Sequence, residues 1–167
     1  MTPAELLTES FQRIAESGTS VVDDLTEDQL GHRPDPDANS IAWLVWHLTR
    51  VQDDHVADVS GLEQVWTAQD FVGRFRLPFA AEDTGYGHTS DEVGRVRVSA
   101  ELLAAYLTAT HHQTVGYIGS LGETDLDRIV DRRWDPPVTL GVRLVSVVND
   151  DTQHVGQAAY VRGLLET

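Results

Sequence analysis

Four stretches of the chain carry apolar residues at helical spacing, and connectors rich in proline, glycine or polar residues separate them. The first runs from about Pro3 to about Leu25, with Leu6, Leu7, Phe11, Ile14, Val21 and Val22 on its apolar stripe. Thr2 supplies a cap, and Pro3 stands at the first helical position, where its missing N–H costs nothing. A connector from Leu30 to Asn39 follows, whose prolines and aspartates break any helix. The second helix runs from about Ser40 to about Ser60, capped by Asn39 or Ser40 and stopped at Gly61. The stretch from about Leu62 to Ser90 is expected to be irregular, and its aromatic residues predict that it packs over something. The third helix is predicted from about Asp91 to about Leu121, capped by Thr89 or Ser90. A second connector, about Gly122 to Val138, contains Trp134-Asp-Pro-Pro137. The fourth helix runs from about Thr139 to about Leu164. No convincing run of alternating strands appears, so the pattern predicts an all-α four-helix bundle with long connectors, one domain over residues 1–167.

Composition narrows the chemistry. Cysteine is absent, which excludes disulfides, a thiol nucleophile and a cysteine-rich zinc site. Any thiol in the reaction must come from outside. Lysine is absent too, so there is no Schiff-base or phosphate-loop lysine. The formal charge of −15 repels phosphate backbones and argues against nucleic-acid binding. No apolar run reaches the roughly 20 residues a membrane span needs. The N-terminus lacks a basic-then-apolar signal pattern, so a soluble cytoplasmic protein is expected.

Two polar placements stand out against the apolar pattern. His47 lies within Trp43-Leu-Val-Trp-His-Leu48, among the most apolar stretches of the chain. Asp150 and His154 are four apart on the fourth helix and share a face. Two helices of a bundle can aim such side chains at one point. Imidazole and carboxylate suit Zn²⁺, Ni²⁺, Fe²⁺ or Mn²⁺, and three protein ligands leave positions open, as in a catalytic site. Spacing alone leaves an alternative, in which His47 is a hydrogen-bonded core histidine or pairs with Asp150 as a buried ion pair.

The residues Ser40-Ile-Ala-Trp-Leu-Val-Trp-His47-Leu, Asp150-x-x-x-His154-x-Gly156-Gln157 and Tyr160-x-Arg162-Gly163 resemble the DinB superfamily of metal-binding four-helix bundles. The resemblance follows helix order over essentially the whole chain. It implies one metal ligand at His47 and two at Asp150 and His154. Within that superfamily the chain is most similar to the mycothiol-dependent maleylpyruvate isomerases and mycothiol S-transferases. Those isomerases use a His, a Glu and a His. Asp150 is one methylene shorter than their Glu, which predicts an ion held nearer the last helix or more weakly. The resemblance implies a divalent metal, most simply Zn²⁺, and mycothiol as thiol cosubstrate. The activity expected is thiol transfer to small electrophiles in detoxification, with a homodimer by analogy. The alternatives are a metal-dependent hydrolase, with Asp54, Asp151 or His88 as base, and a non-catalytic, stress-related metal-binding protein.

Other residues are weaker candidates. His88, after Gly85-Tyr86-Gly87, belongs either to a pocket lid or to an exposed turn. Arg143, seven before Asp150, either binds a carboxylate of the thiol or substrate or forms a salt bridge to a neighbouring acid. Gln157, three after His154, is placed to orient a ligand or a metal-bound water. Tyr160-x-Arg162 reads as structural, and Trp43 and Trp46 as core and a wall of the site. His55, eight residues from His47, either lies on the same side two turns away or belongs with Asp53, Asp54 and Asp58 to a solvated face, and His111-His112 read as surface or interface residues. His32 carries no signal.

Overall fold

Thr2 opens helix α1 (Pro3–Val22) through a reciprocal cap: its hydroxyl accepts from the Glu5 N–H, and the Glu5 carboxylate accepts from the Thr2 N–H. A computed structural model describes residues 1–165. Within it α1 stops three residues before the expected Leu25. Asp24 takes a left-handed conformation, φ 59°, which aspartate tolerates better than most residues. Thr26 then caps a new short helix, α2 (Glu27–Leu30). Arg162 reaches across from the last helix to the carbonyls of Ser20, Val21 and Asp23, satisfying the end of α1. That is a structural role, as expected for the segment.

Helix α3 (Ile41–Ser60) agrees with expectation to within a residue. The Ser40 hydroxyl caps it by accepting from the Trp43 N–H, and Gly61, at φ 72°, ends it in the left-handed region. The stretch after it is more ordered than expected. It contains α4 (Val65–Ala68) and α5 (Phe71–Phe75), whose Trp66, Phe71 and Phe75 ring the buried Tyr106 at 4.9–5.8 Å between centroids.

The single helix expected over 91–121 is two: α6 (Ser90–Gly94) and α7 (Ala100–Gly119). Between them Val96 and Val98 are buried while Arg95 and Arg97 are exposed, an alternation of period two. The Ser99 hydroxyl then accepts from the Leu102 N–H and starts α7 afresh. The connector that follows holds a 3₁₀ turn (Glu123–Asp127) and a small antiparallel ladder, absent from the sequence reading. Strand β1 (Ile129–Asp131) pairs with β2 (Val138–Thr139), with Ile129 opposite Thr139 and Asp131 opposite Val138. Thr139 leads directly into α8 (Leu140–Leu165), its hydroxyl accepting from the Val142 N–H.

The four long helices α1, α3, α7 and α8 form the all-α bundle that the pattern predicts. α3 lies between α7 and α8, and α1 lies between the same two on the opposite side. Phe11, Leu44, Leu48, Leu103, Leu107 and Leu144 fill the space between them, each essentially inaccessible. Burying such a side chain is worth roughly 1.5–3 kcal/mol. The α3–α8 seam is therefore fixed by the core beneath it, and the polar residues above the seam inherit that rigidity. Among the described residues no helix is long and apolar enough to cross a membrane.

Candidate metal centre

α3 contributes His47 and α8 contributes Asp150 and His154, and the seam brings them together. One ligand atom from each lies within 4.8 Å of the others. The His47 and His154 rings sit 4.8 Å apart, edge to face. His47 also stacks on Trp43 at 4.5 Å, which supports its ring in the seam.

The hydrogen bonds decide which nitrogens are free. His47 Nδ1 is 2.5 Å from the Thr84 carbonyl, and His154 Nδ1 is 2.8 Å from the carbonyl of Asp150. A carbonyl oxygen only accepts, so each Nδ1 carries the proton and each neutral ring keeps its Nε2 lone pair. Backbone carbonyls on the far nitrogen orient metal-binding histidines and raise their basicity. Burial lowers the His47 pKa, which favours the neutral form. Burial also acts downward on His154, but Asp150 outweighs it and raises the value. The His154 ring, 3.3 Å from Asp150 Oδ2, holds the Asp150 carboxyl below the usual range. The Nδ1 proton is aimed at the carbonyl, however, and Oδ2 is left buried with no hydrogen-bond partner. Two free imidazole nitrogens and an orphaned carboxylate oxygen form a donor set that fits a divalent cation. The buried pair between His47 and Asp150 does not form, because the His47 hydrogen bond goes to Thr84 and the close partner of Asp150 is His154.

Thr84 reaches His47 because of what holds its loop. Arg50, fully buried on α3, donates to the Asp83 carbonyl, to Gln64 and to the Tyr106 hydroxyl. Asp53 neutralises Arg50 at 3.7 Å and accepts from the N–H groups of Val65 and Trp66 and from Tyr106. Asp53 thus belongs to the core and not to the solvated face expected of it. Its partners come from segments far along the chain. Gly85 then crosses directly over the site, since a Cβ there would lie 2.9 Å from both His47 Nδ1 and the Trp46 ring.

A pocket of about 640 Å³ opens beside His47 and Asp150. Its outer walls carry Asp54 and His55 from α3, Arg143 from α8 and Arg133 from the β1–β2 turn, with Tyr86, 92% exposed, at its rim. Arg143 is in this pocket and pairs with Asp131 at 3.2 Å and with His55 Nδ1 at 3.2 Å. The remaining weak candidates fall elsewhere. His88 is neither an exposed turn residue nor a free base. Its side chain is buried against Trp46 and Phe79, accepts from the Trp43 indole at Nδ1 and bonds Asp83 through Nε2. Gln157 is exposed and lines a separate groove with Pro34, Leu44 and Tyr160, away from the pocket that His47 and Asp150 share. Asp151 faces the core, fully buried and without partners, and burial raises its pKa well above the usual range. His111 is buried rather than on the surface, and bonds Gln12 across the seam between α7 and α1.

The chain matches the family model of the DinB superfamily over residues 11–158. It belongs to the DinB superfamily. Its fold is similar to the crystal structure of a conserved protein from Enterococcus faecalis, at 32% identity and a TM-score of 0.90 over 97% of this chain and 96% of that one. No curated protein matches it. This DinB-superfamily chain thus has its His/Asp/His cluster on the two helices where the motifs anticipate it. Gly85, flagged with Gly87 as a point of close backbone approach, crosses the site; Thr84, Asp131 and Arg133 complete the surroundings and have no signal in the sequence.

Proposed function

We propose that the protein is a metal-dependent thiol transferase of the mycothiol S-transferase type, acting on small electrophiles. The observation that carries this reading is the open His47–Asp150–His154 donor set beside a roomy pocket, in a chain with no cysteine of its own. A divalent metal held there supplies Lewis acidity, which lowers the pKa of a thiol bound beside it. His47 and His154 would hold the ion through the Nε2 atoms that their Nδ1 hydrogen bonds leave free, with Asp150 as the anionic donor. The Thr84 and Asp150 carbonyls keep both rings in the required tautomer. Trp43 and the Gly85 backbone exclude water from one side of the site. In the reaction the sulfur of the external thiol bonds to the electrophilic carbon. The leaving group departs with the bonding pair, and the thiol proton passes to solvent.

Zinc and mycothiol are the first choices of metal and thiol. Hydrolysis is less well supported, because of the three bases named for it His88 and Asp151 are buried by packing and Asp54 alone lines the pocket. Elemental analysis of the purified protein, with a thiol titration of wild type and His154→Ala, tests the reading. Stoichiometric metal and thiol-dependent turnover in wild type, both lost in His47→Ala and His154→Ala, are expected. Full metal content in both variants would overturn it.

A further inference from the structure

The outer end of the pocket has a composition unlike the rest of the chain. In a protein of net charge −15, two arginines from different elements, Arg143 on α8 and Arg133 on the β1–β2 turn, converge on a single carboxylate, Asp131. Arg133 takes the better share. Its Nε and backbone N–H both reach Asp131 Oδ1, and its Nη2 lies 2.8 Å from Oδ2. Arg143 has only the longer contact, 3.2 Å to Oδ2, although its side chain is 17% exposed and Arg133 is 85% exposed. Its Nε is buried and unpartnered. Asp54 and Asp150 line the same pocket, so the guanidinium does not lack nearby negative charge; what it has spare is a buried donor, Nε, that a further acceptor can satisfy.

The neighbours add to this. His55 Nδ1 accepts from Arg143 Nη1, so the neutral ring carries its proton on Nε2, a further donor. Asp54, on the same wall as His55, already accepts from Gln64 at 2.8 Å. Arg143 and Asp150 are seven residues apart on one face of α8, which sets their separation at about 10 Å along the axis.

We propose that the outer end of this pocket is a carboxylate subsite. Arg143, with Arg133 and His55 beside it, takes the carboxylate of an elongated ligand whose other end reaches the His47–Asp150–His154 cluster. The substrate class is therefore an organic acid with its reacting group two helical turns from its carboxylate. Neutral electrophiles and thiols gain nothing from this end of the pocket. The identity of the reacting group rests on the thiol-transferase reading, whereas the carboxylate contact does not.

The test is calorimetric titration of the Zn²⁺-loaded full chain with 8-mercaptooctanoate and with 8-mercaptooctanol, a pair that differs only at the far end. The acid is expected to bind about tenfold or more tighter, as one charge-assisted hydrogen bond provides. The preference should disappear in Arg143→Gln and shrink in Arg133→Gln, whose exposed position leaves the fold intact. It should also shrink with added salt, while 2-mercaptoethanol binds all forms alike. Equal binding of acid and alcohol by wild type overturns the subsite, as does an undiminished preference in both variants. If no thiol binds, the thiol-transferase reading fails and octanoate decides the subsite alone. Octanoate must then shift the Arg143 Nε–H resonance in the metal-free protein, and no shift overturns the proposal.

Discussion

Gly85 sits so close over His47 that a Cβ on it would lie 2.9 Å from Nδ1, the nitrogen that donates to the carbonyl of the preceding residue, Thr84. The same glycine has φ 89°, a conformation that disfavours any other residue. Its lack of a side chain and its backbone angle together let a main-chain carbonyl orient a candidate metal ligand.

Gly85→Ala should therefore act on the metal more than on the fold. The new methyl must displace either the loop or the His47 ring, and the Thr84 contact is lost. Removal of a ligand's outer partner typically costs about 10–100-fold in metal affinity. The strained backbone adds a cost of about 1–3 kcal/mol. Competition with a chromophoric chelator measures the first effect and thermal melting of the metal-free protein the second. Unchanged affinity would show that the Thr84 carbonyl does not set the orientation of His47.

Asp150→Asn separates ligand from scaffold. The substitution keeps the size of the side chain and removes the charge from the orphaned Oδ2. Zn²⁺ affinity should fall at least about tenfold, since the anionic donor is lost. Stability of the metal-free protein should fall by only about 0.2–1 kcal/mol, since what is lost there is the half-buried charge contact with the His154 ring at 3.3 Å. Saturating wild type at 100 times its Kd should add about 2.7 kcal/mol, a melting shift of roughly 5–10 °C that the variant lacks at the same metal concentration. Equal metal-induced shifts in both proteins would remove Asp150 from the ligand set.

What the sequence made legible was local. Thr2, Ser40 and Gly61 mark helix ends because a side chain or a φ preference acts within three or four residues. The Asp150–His154 pairing follows from one helical turn. The break between α6 and α7 was hidden, since Val96 and Val98 alternate for too few residues to displace a helical reading. The β1–β2 ladder is three residues against two, below what alternation can signal. Thr84 contributes a carbonyl that every residue possesses. Asp53 looked like part of an acidic surface with Asp54 and Asp58, because Tyr106, which bonds it, lies 53 residues away.

That misreading makes Asp53 a useful probe. Asp53→Ala leaves Arg50 without its counter-charge, and the Val65 and Trp66 N–H groups without an acceptor. Breaking a buried pair from one side costs about 3–5 kcal/mol. Urea unfolding should show a free energy lowered by that amount, through a lower midpoint at unchanged slope, and melting roughly 6–20 °C lower. Because Arg50 also holds the Asp83 carbonyl, metal affinity should fall as well, although Asp53 touches no candidate ligand. A loss below about 1 kcal/mol would place Asp53 with ordinary surface acids.

His111 predicts a pH response away from the metal centre. It is buried on α7, donates from Nε2 to Gln12 and has no partner for Nδ1. Burial, with His112 adding to it, pulls its pKa below the ordinary histidine value of about 6.5. The folded state therefore prefers the neutral ring. Above about pH 6.5 both folded and unfolded chains carry it neutral, and the group adds no pH dependence. As pH falls through that value the unfolded chain takes up the proton first. Stability then drops until the folded ring protonates as well. His111→Gln has no such titration. Its melting temperature relative to wild type should rise between pH 7.5 and pH 5, with other groups cancelling in the comparison. Parallel melting curves across that range would mean that His111 protonates without strain in the fold.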